Sequence, residues 1–197
     1  MRVLAIETAT QACSVALREG DELLGHFHEV IGRGHAERLV PAIAALPGKG
    51  RADRVLVSLG PGSFTGVRIG LATARALGLA WGAEVLGYST PALVAALARA
   101  DSAPVSVCMN AGHGEFFVQN FDADGLPEDD ARSLPPEQAA QVCRHPRIAG
   151  DRAQEIGAGE AVDLLPDARG VEMLRTENLV TDLAPIYGRG PDARLPG

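Results

Sequence analysis

The opening of the chain alternates between apolar runs and polar turns, a pattern typical of antiparallel strands. Residues 2–7 and 12–17 predict two strands joined by the polar turn Thr8–Gln11. Residues 22–30 predict a third strand. The chain therefore begins with a predicted β-meander.

In the next segment the apolar residues are spaced as in a helix. Leu39, Ile43 and Leu46 recur at intervals that predict a helix over 35–46. Pro41 lies inside this run and removes a backbone hydrogen-bond donor, so we expect the helix to bend or restart there.

A glycine-rich segment then separates a strand from a long helix. Residues 54–59 predict the strand, Gly60–Gly66 the loop and 67–81 the helix. A strand over 84–88 and an alanine-rich helix over 90–100 follow. This order of elements is typical of a layered α/β domain.

A polar break at Asp101–Pro104 predicts a boundary between two lobes. Beyond it, strands over 104–109 and 115–121 flank the polar turn Asn110–Gly114. Because this repeats the pattern of the first hairpin, we predict two related halves. The predicted parts are an N-terminal lobe, a smaller second lobe and an extended tail: 1–101, 102–184 and 185–197.

The pattern is weaker after residue 121. Pro135 and Pro136 predict the start of a helix that ends near residue 143, and 147–149 predicts a short strand. Residues 151–183 predict short helical pieces. The tail from Ile186 to Gly197 is rich in Gly, Pro and Arg and is expected to lie extended on the surface.

Composition narrows the function classes. Hydrophobic residues make up 46% and charged residues 22%, as in ordinary globular proteins. The net charge of −7 argues against tight binding of nucleic acid by this chain alone, because such affinity comes mainly from Lys and Arg on phosphates. The three cysteines lack metal-ligand spacing, and no stretch is long enough for a membrane span, so we expect a cytoplasmic protein with reduced thiols.

Two segments are candidates for phosphate binding. The turn with Glu7, Thr8 and Thr10 aims side chains and backbone N–H groups at one point, which suits a phosphate or a metal–phosphate, although a capped polar turn is the simpler interpretation. The loop Gly60–Gly66 precedes a helix, yet it lacks the Lys-Ser/Thr pair of a Walker A loop. A turn built for close packing explains that loop at least as well.

The helix after this loop carries small residues at four-residue steps. Gly66, Gly70, Ala74 and Gly78 form a ridge almost without side chains, and glycine costs up to about 1 kcal/mol relative to alanine inside a helix. The ridge therefore needs a packing reason, which is either another subunit or the sheet of the same chain. The predicted interface consists of the ridge, its flanks and the neighbouring helix: Leu39, Ile43, Gly66, Ile69, Gly70, Thr73, Ala74, Leu77 and Gly78.

Several stretches resemble the TsaB (YeaZ) family, which is M22 glycoprotease-like. They are the opening Met1–Leu17, Arg33–Pro41, Leu59–Gly70 with Arg68, the run Asn110–Phe117 and the tail Pro185–Arg194. The resemblance covers residues 1–121 well and 122–180 hardly at all. It implies the α/β fold of the actin/Hsp70/sugar-kinase (ASKHA) superfold, with two lobes that each have a mixed sheet flanked by helices.

The resemblance also implies a non-catalytic subunit. The partners it implies are a TsaD-type catalytic paralogue, a TsaE-type ATPase, a second copy when the chain is alone, and tRNA only through the complex. The reaction it implies is N6-threonylcarbamoylation of adenosine 37 of tRNA. No tightly bound cofactor or metal is implied, only weak ATP or ADP binding at the level of the complex.

Two departures from the family pattern, at positions 7 and 110, leave an enzymatic alternative open, whereas a third favours the non-catalytic interpretation. Glu7 and Asn110 stand where Asp is commoner in the family, and the segment Ser89–Ala98 lacks the His-x-x-x-His pair of the catalytic relative. The alternatives are an M22-type metallopeptidase or a small ATP-dependent kinase of the same superfold. Either would need a metal site or phosphate loops in both lobes, which the sequence does not display.

Overall fold

The computed structural model describes residues 1–99, 103–157 and 159–188. The predicted boundary at Asp101 and Ser102 and the tail beyond Gly188 lie outside these residues, so the division into three parts stays a prediction.

The first sheet has five strands in the order β3-β2-β1-β4-β5. β1 pairs antiparallel with β2, and β2 with β3, whereas β1, β4 and β5 run parallel. This arrangement joins the predicted meander to two crossover strands. The strands are β1 (Arg2–Glu7), β2 (Ala12–Glu19), β3 (Glu22–Val30), β4 (Arg54–Ser58) and β5 (Glu84–Tyr88).

The second sheet repeats the plan of the first. Its order is β10-β9-β6-β7-β8, with β6, β7 and β8 antiparallel and β6, β9 and β10 parallel. Reading outward from β6 therefore gives the same topology as reading outward from β1. The strands are β6 (Val105–Gly112), β7 (Glu115–Phe121), β8 (Arg132–Leu134), β9 (Arg147–Ala149) and β10 (Glu160–Val162).

Helices cover both sheets. The α-helices are α1 (His35–Ala45), α2 (Phe64–Trp81), α3 (Thr90–Ala98) and α4 (Pro136–Val142). The short 3₁₀ helices are Pro47–Gly50, Ala153–Ile156, Ala168–Met173 and Thr176–Asn178.

Side-chain contacts define how the helices pack on the two sheets. α1 and α2 pack on one face of the first sheet, and α4 packs on the outer face of the second. α3 is buried on nearly every side, as expected of a helix that is apolar all round, because it lies between the two sheets.

A segment from the second half returns to the first sheet. Ala168 and Val171 pack against the inner face of that sheet, and Val180 exchanges both backbone hydrogen bonds with Gly87, at 2.8 and 2.9 Å. The Asp167 carboxylate accepts hydrogen bonds from Ser14 and Arg169. Residues 167–180 are therefore part of the packing of the first lobe.

Most predicted elements are confirmed, with three differences. α2 begins at Phe64, three residues earlier than predicted, because Ser63 caps it by accepting a hydrogen bond from the Gly66 N–H. α1 is a single helix that runs through Pro41 without a restart. β8 and β10 were not predicted.

Candidate functional site

A cleft of about 830 Å³ lies between the two lobes. The turns of the first hairpins of both sheets, the N-terminal end of α2 and the segment around Tyr187 form its walls. Its polar lining residues are Thr10, Gln11, Ser63, Arg68, Asn110, His113, Asp151 and Tyr187.

The glycine-rich loop closes tightly over the first hairpin turn. The Ser63 N–H donates to the Ala9 carbonyl at 2.6 Å, and the Thr8 hydroxyl donates to the Gly66 carbonyl at 2.8 Å. A Cβ atom on Gly62 or Gly66 would overlap the carbonyl oxygens of Ala9 or Thr8. These contacts support close packing as the reason for the glycines.

Glu7 lies beneath this turn and has no exposed surface. Its carboxyl group accepts the Ala9 N–H at 2.7 Å and lies 3.5 Å from the Tyr88 hydroxyl. Burial raises the pKa of Glu7 to about 7, and these hydrogen bonds only partly offset the effect. The carboxyl group therefore points into the protein and cannot reach a molecule in the cleft.

The predicted phosphate-binding residues are thus separated. Thr10 lines the cleft, where its hydroxyl accepts the Ala12 N–H at 3.2 Å. Thr8 is buried and bonded to the loop, and Glu7 is buried below it. The prediction that Glu7, Thr8 and Thr10 converge on a ligand is corrected for the first two, because the loop covers them.

The second hairpin offers an open wall opposite Thr10. Asp151 accepts the backbone N–H of Asn110 at 2.9 Å, and burial raises the pKa of its carboxyl group. His113 has a left-handed backbone with φ of 53° and also lines the cleft. Asp151 was missed from the sequence because only the tertiary fold brings it beside Asn110.

Aromatic rings and a guanidinium group form the rim of the cleft. The Arg68 guanidinium lies 3.3 Å from the centre of the Phe64 ring and donates to the Tyr187 hydroxyl at 3.1 Å. The backbone next to Tyr187 links the two lobes, because the Ile186 N–H donates to Leu59 and the Ser133 N–H donates to Gly188. Tyr187 was missed because it comes from the tail.

Neither a metal centre nor a hydrolytic triad is assembled in the described ranges. No three His, Cys, Asp or Glu side chains lie close enough there to hold a metal ion. Ser14, His28 and Asp167 do meet, but the carboxylate lies between the other two and Ser14 is fully buried. A serine nucleophile needs the imidazole next to its hydroxyl, so this cluster is structural.

The small-residue ridge of α2 faces the first sheet. A Cβ on Gly70 would touch the Thr8 hydroxyl, and one on Gly78 would overlap Val85. Gly66 and Ala74 are buried on the same face. The prediction that this ridge meets another subunit is therefore wrong for Gly66, Gly70, Ala74 and Gly78, because the chain's own sheet fills the space.

The other predicted interface residues divide into buried and partly exposed side chains. Leu39 and Ile43 are buried in the core between α1 and the first sheet, which excludes them from a partner surface. Ile69 and Leu77 are partly buried against that core, and Thr73 is partly buried between them in sequence. Because these three side chains remain partly exposed, their place in an interface stays a prediction.

Comparisons with known proteins agree with this fold. The family model described as "TsaD: tRNA N6-adenosine threonylcarbamoyltransferase" matches residues 23–142. The tRNA threonylcarbamoyladenosine biosynthesis protein TsaB of Escherichia coli is 34% identical over 171 residues, covering 82% of this chain and 70% of that protein.

Solved structures of similar proteins have the same fold as this chain. YeaZ from Pseudomonas aeruginosa superimposes with a TM-score of 0.79 at 29% identity, covering 94% of this chain and 99% of that one. The ethanolamine utilization protein EutJ from Carboxydothermus hydrogenoformans shares the fold alone, with a TM-score of 0.50 at 10% identity over 89% of this chain and 90% of its own. The predicted two-lobed ASKHA fold is confirmed.

None of the helices in the described ranges is both long and apolar enough to span a membrane. The relatives, the family model and the fold together place this chain in the TsaB (YeaZ) family.

Proposed function

We propose that this chain is a non-catalytic subunit that supports a TsaD-type enzyme in N6-threonylcarbamoylation of adenosine 37 of tRNA. Relatives named as TsaB support the coarser statement, a role in tRNA threonylcarbamoyladenosine biosynthesis. The observation that carries the finer proposal is a set of exposed apolar side chains on α1 and α2, called here the apolar strip. The buried position of the Glu7 carboxyl group, which cannot reach the cleft, agrees with a non-catalytic role.

The strip is the outward face of the two adjacent helices. Leu79 is 89% exposed and Val40 is 57% exposed. Its members are apolar and exposed: Val40, Pro41, Ala44, Ala72, Ala76, Leu79 and Ala80. Each helix thus presents one large apolar side chain with small ones beside it in the sequence, and such exposed apolar positions suit packing against a second helix pair.

The occupant we propose for this strip is the TsaD-type paralogue, or a second copy of the chain when that paralogue is absent. α1 and α2 lie within the 23–142 region that matches the TsaD family model, so the paralogue offers a related pair of helices. The proposed interface is therefore on the same two helices that the sequence predicted, but on the side that faces away from the first sheet. TsaE-type ATPase and tRNA would join only through the complex.

A double substitution tests the interface. Val40→Asp with Leu79→Asp places two charges on the strip without touching the buried ridge, so we expect the chain to fold and its affinity for the TsaD-type partner to fall by about 100-fold. Isothermal titration calorimetry measures the affinity and circular dichroism the fold. Leu23→Asp, at an exposed leucine on β3 and outside the two helices, is the matched control and should bind normally.

Two results would contradict the proposal. One is a folded double variant that binds the partner as well as the unmodified chain. The other is modified tRNA, or ATP turnover near 1 s⁻¹, produced by this chain without a TsaD-type partner, which is within the ordinary range for enzymes. Turnover of that size would favour the kinase alternative.

A further inference from the structure

Two thiols that are distant in sequence meet in the second lobe. Cys108 lies on β6 and is fully buried, and Cys143 follows the last residue of α4 and is partly buried. Both belong to the apolar cluster between α4 and the outer face of the second sheet. Neither takes part in the cleft or in the exposed strip on α1 and α2.

Backbone hydrogen bonds hold the end of α4 over Cys108. The N–H groups of Arg144 and His145 donate to the Ser106 hydroxyl at 3.1 and 3.0 Å, and that hydroxyl donates to Asn120 at 2.6 Å. Ser106 and Cys108 are two residues apart on one strand and therefore point to the same face. Cys143, the residue before Arg144, is therefore held close to the face of β6 that carries Cys108.

The two thiols share one apolar cluster and differ in exposure. The Cys108 thiol donates to Cys143, which lowers the pKa of Cys143 and raises that of Cys108. Cys143 is also the more exposed of the two. The thiolate is the form that reacts with oxidants, and an oxidant reaches the more exposed sulfur first, so we expect Cys143 to be the attacking thiol and Cys108 to be the thiol that resolves the product.

We propose that Cys143 and Cys108 are an oxidative modification site, at which a hydroperoxide converts the dithiol into a reversible disulfide. The Cys143 thiolate attacks one peroxide oxygen, the O–O bond breaks, and a sulfenic acid and water or an alcohol form. The Cys108 sulfur then attacks the sulfenic sulfur, the S–S bond forms, the S–O bond breaks, and water leaves with the Cys108 proton. Two thiols are oxidised and one peroxide is reduced.

The bridge would fasten an element that is otherwise lightly held. α4 has seven residues, and Ala139 is its only residue classed as buried. A covalent link from its end to the central strand of the sheet closes a long loop and restricts local opening of the lobe. The inference is independent of the proposed function, because it concerns neither the partner surface nor tRNA.

Peptide mapping of the full chain tests this site. The reduced protein is treated with hydrogen peroxide, alkylated, digested and analysed by mass spectrometry. We expect the Cys108–Cys143 peptide as the main oxidised species, its loss after dithiothreitol, and a higher thermal unfolding midpoint in the oxidised protein. Before oxidation, iodoacetamide should label Cys143 at least about tenfold faster than Cys13, whose pKa burial raises to about 11.

Substitution of single cysteines tests whether the disulfide forms between Cys143 and Cys108. Cys143→Ser should abolish the linked peptide and the change in midpoint, whereas Cys13→Ser, the matched control in the first core, should keep both. Cys108→Ala should leave a sulfenic acid at Cys143, and if that variant does not fold, the partly exposed Cys143→Ser decides alone. Oxidation of Cys143 to sulfinic acid without a linked peptide, or links between chains or to Cys13, would overturn the proposal.

Discussion

The first hairpins of the two sheets share one topology but differ in what covers their turns. The turn after β1 is sealed by the glycine-rich loop, with Thr8 bonded to Gly66 and Glu7 buried beneath it. The turn after β6 has no such cover: Asn110 is exposed, and a Cβ on Gly112 or Gly114 would meet nothing. The duplicated fold therefore carries one turn specialised for packing and one left open to the cleft.

The largest expected effect on stability comes from a substitution in the glycine-rich loop that covers the first turn. Gly66→Ala should destabilise the fold by about 4 kcal/mol, because the added Cβ overlaps the Thr8 carbonyl oxygen, a backbone atom that cannot move aside. Urea denaturation followed by circular dichroism measures the free energy of unfolding. Gly112→Asn in the open turn is the control and should cost less than about 1 kcal/mol, because Asn tolerates its positive φ of 74°. Equal costs would contradict the difference between the turns.

The next effect concerns the buried carboxyl group. The folded-state pKa of Glu7 is about 7 against an ordinary 4.5, so the folded protein holds a proton that the unfolded chain releases between these pH values. Its contribution to stability is therefore present below about pH 4.5 and falls by about 3 kcal/mol as pH rises to 7. Glu7→Gln should remove this decline.

Denaturation midpoints measured from pH 4 to pH 8 check this second prediction. Asp151→Asn at the open turn is the matched control, because the pKa of Asp151 is also raised by burial. It should change the pH dependence in the same direction but less, since Asp151 is less enclosed than Glu7. A Glu7→Gln protein that still loses stability as strongly between these pH values would show that another group is responsible.

The smallest effect concerns single hydrogen bonds. Thr8→Val removes a buried bond to the Gly66 carbonyl and should cost about 1 kcal/mol. Asn110→Ala removes the acceptor of the Gly112 N–H at an exposed position, where water replaces it, and should cost about half as much. Thermal unfolding of both variants measures the difference, and the reverse order would contradict it.

Strong local patterns explain which parts of the fold were predictable. The meander, the strand before the glycine-rich loop and α3 each carry their own apolar periodicity, and the second hairpin repeats the first. β8 and β10 have three residues each and no such pattern, so pairing with β7 and β9 defines them. Local sequence cannot reveal an element that exists because of its neighbour.

The candidate site was harder to predict for a related reason. Spacing identified the ridge of α2 and the polar turn, but it could not tell which side of each faces the sheet. Glu7 ends a strand, where an acidic side chain is usually solvated, and only the loop packed above it makes it buried. Asp151 and Tyr187 join the cleft through contacts distant in sequence, which composition and spacing do not record.

The return of residues 167–180 to the first sheet has a consequence for synthesis on the ribosome. The strands of that sheet emerge early, but the inner face formed by Ala5, Ala16 and Leu56 meets Ala168 and Val171 only when most of the chain has been translated. Until then only α3 and Tyr88 cover this apolar face, and the part that Ala168 and Val171 fill stays exposed to solvent and to chaperones. The nascent chain therefore cannot complete its first lobe co-translationally in the order in which the lobe's strands are made.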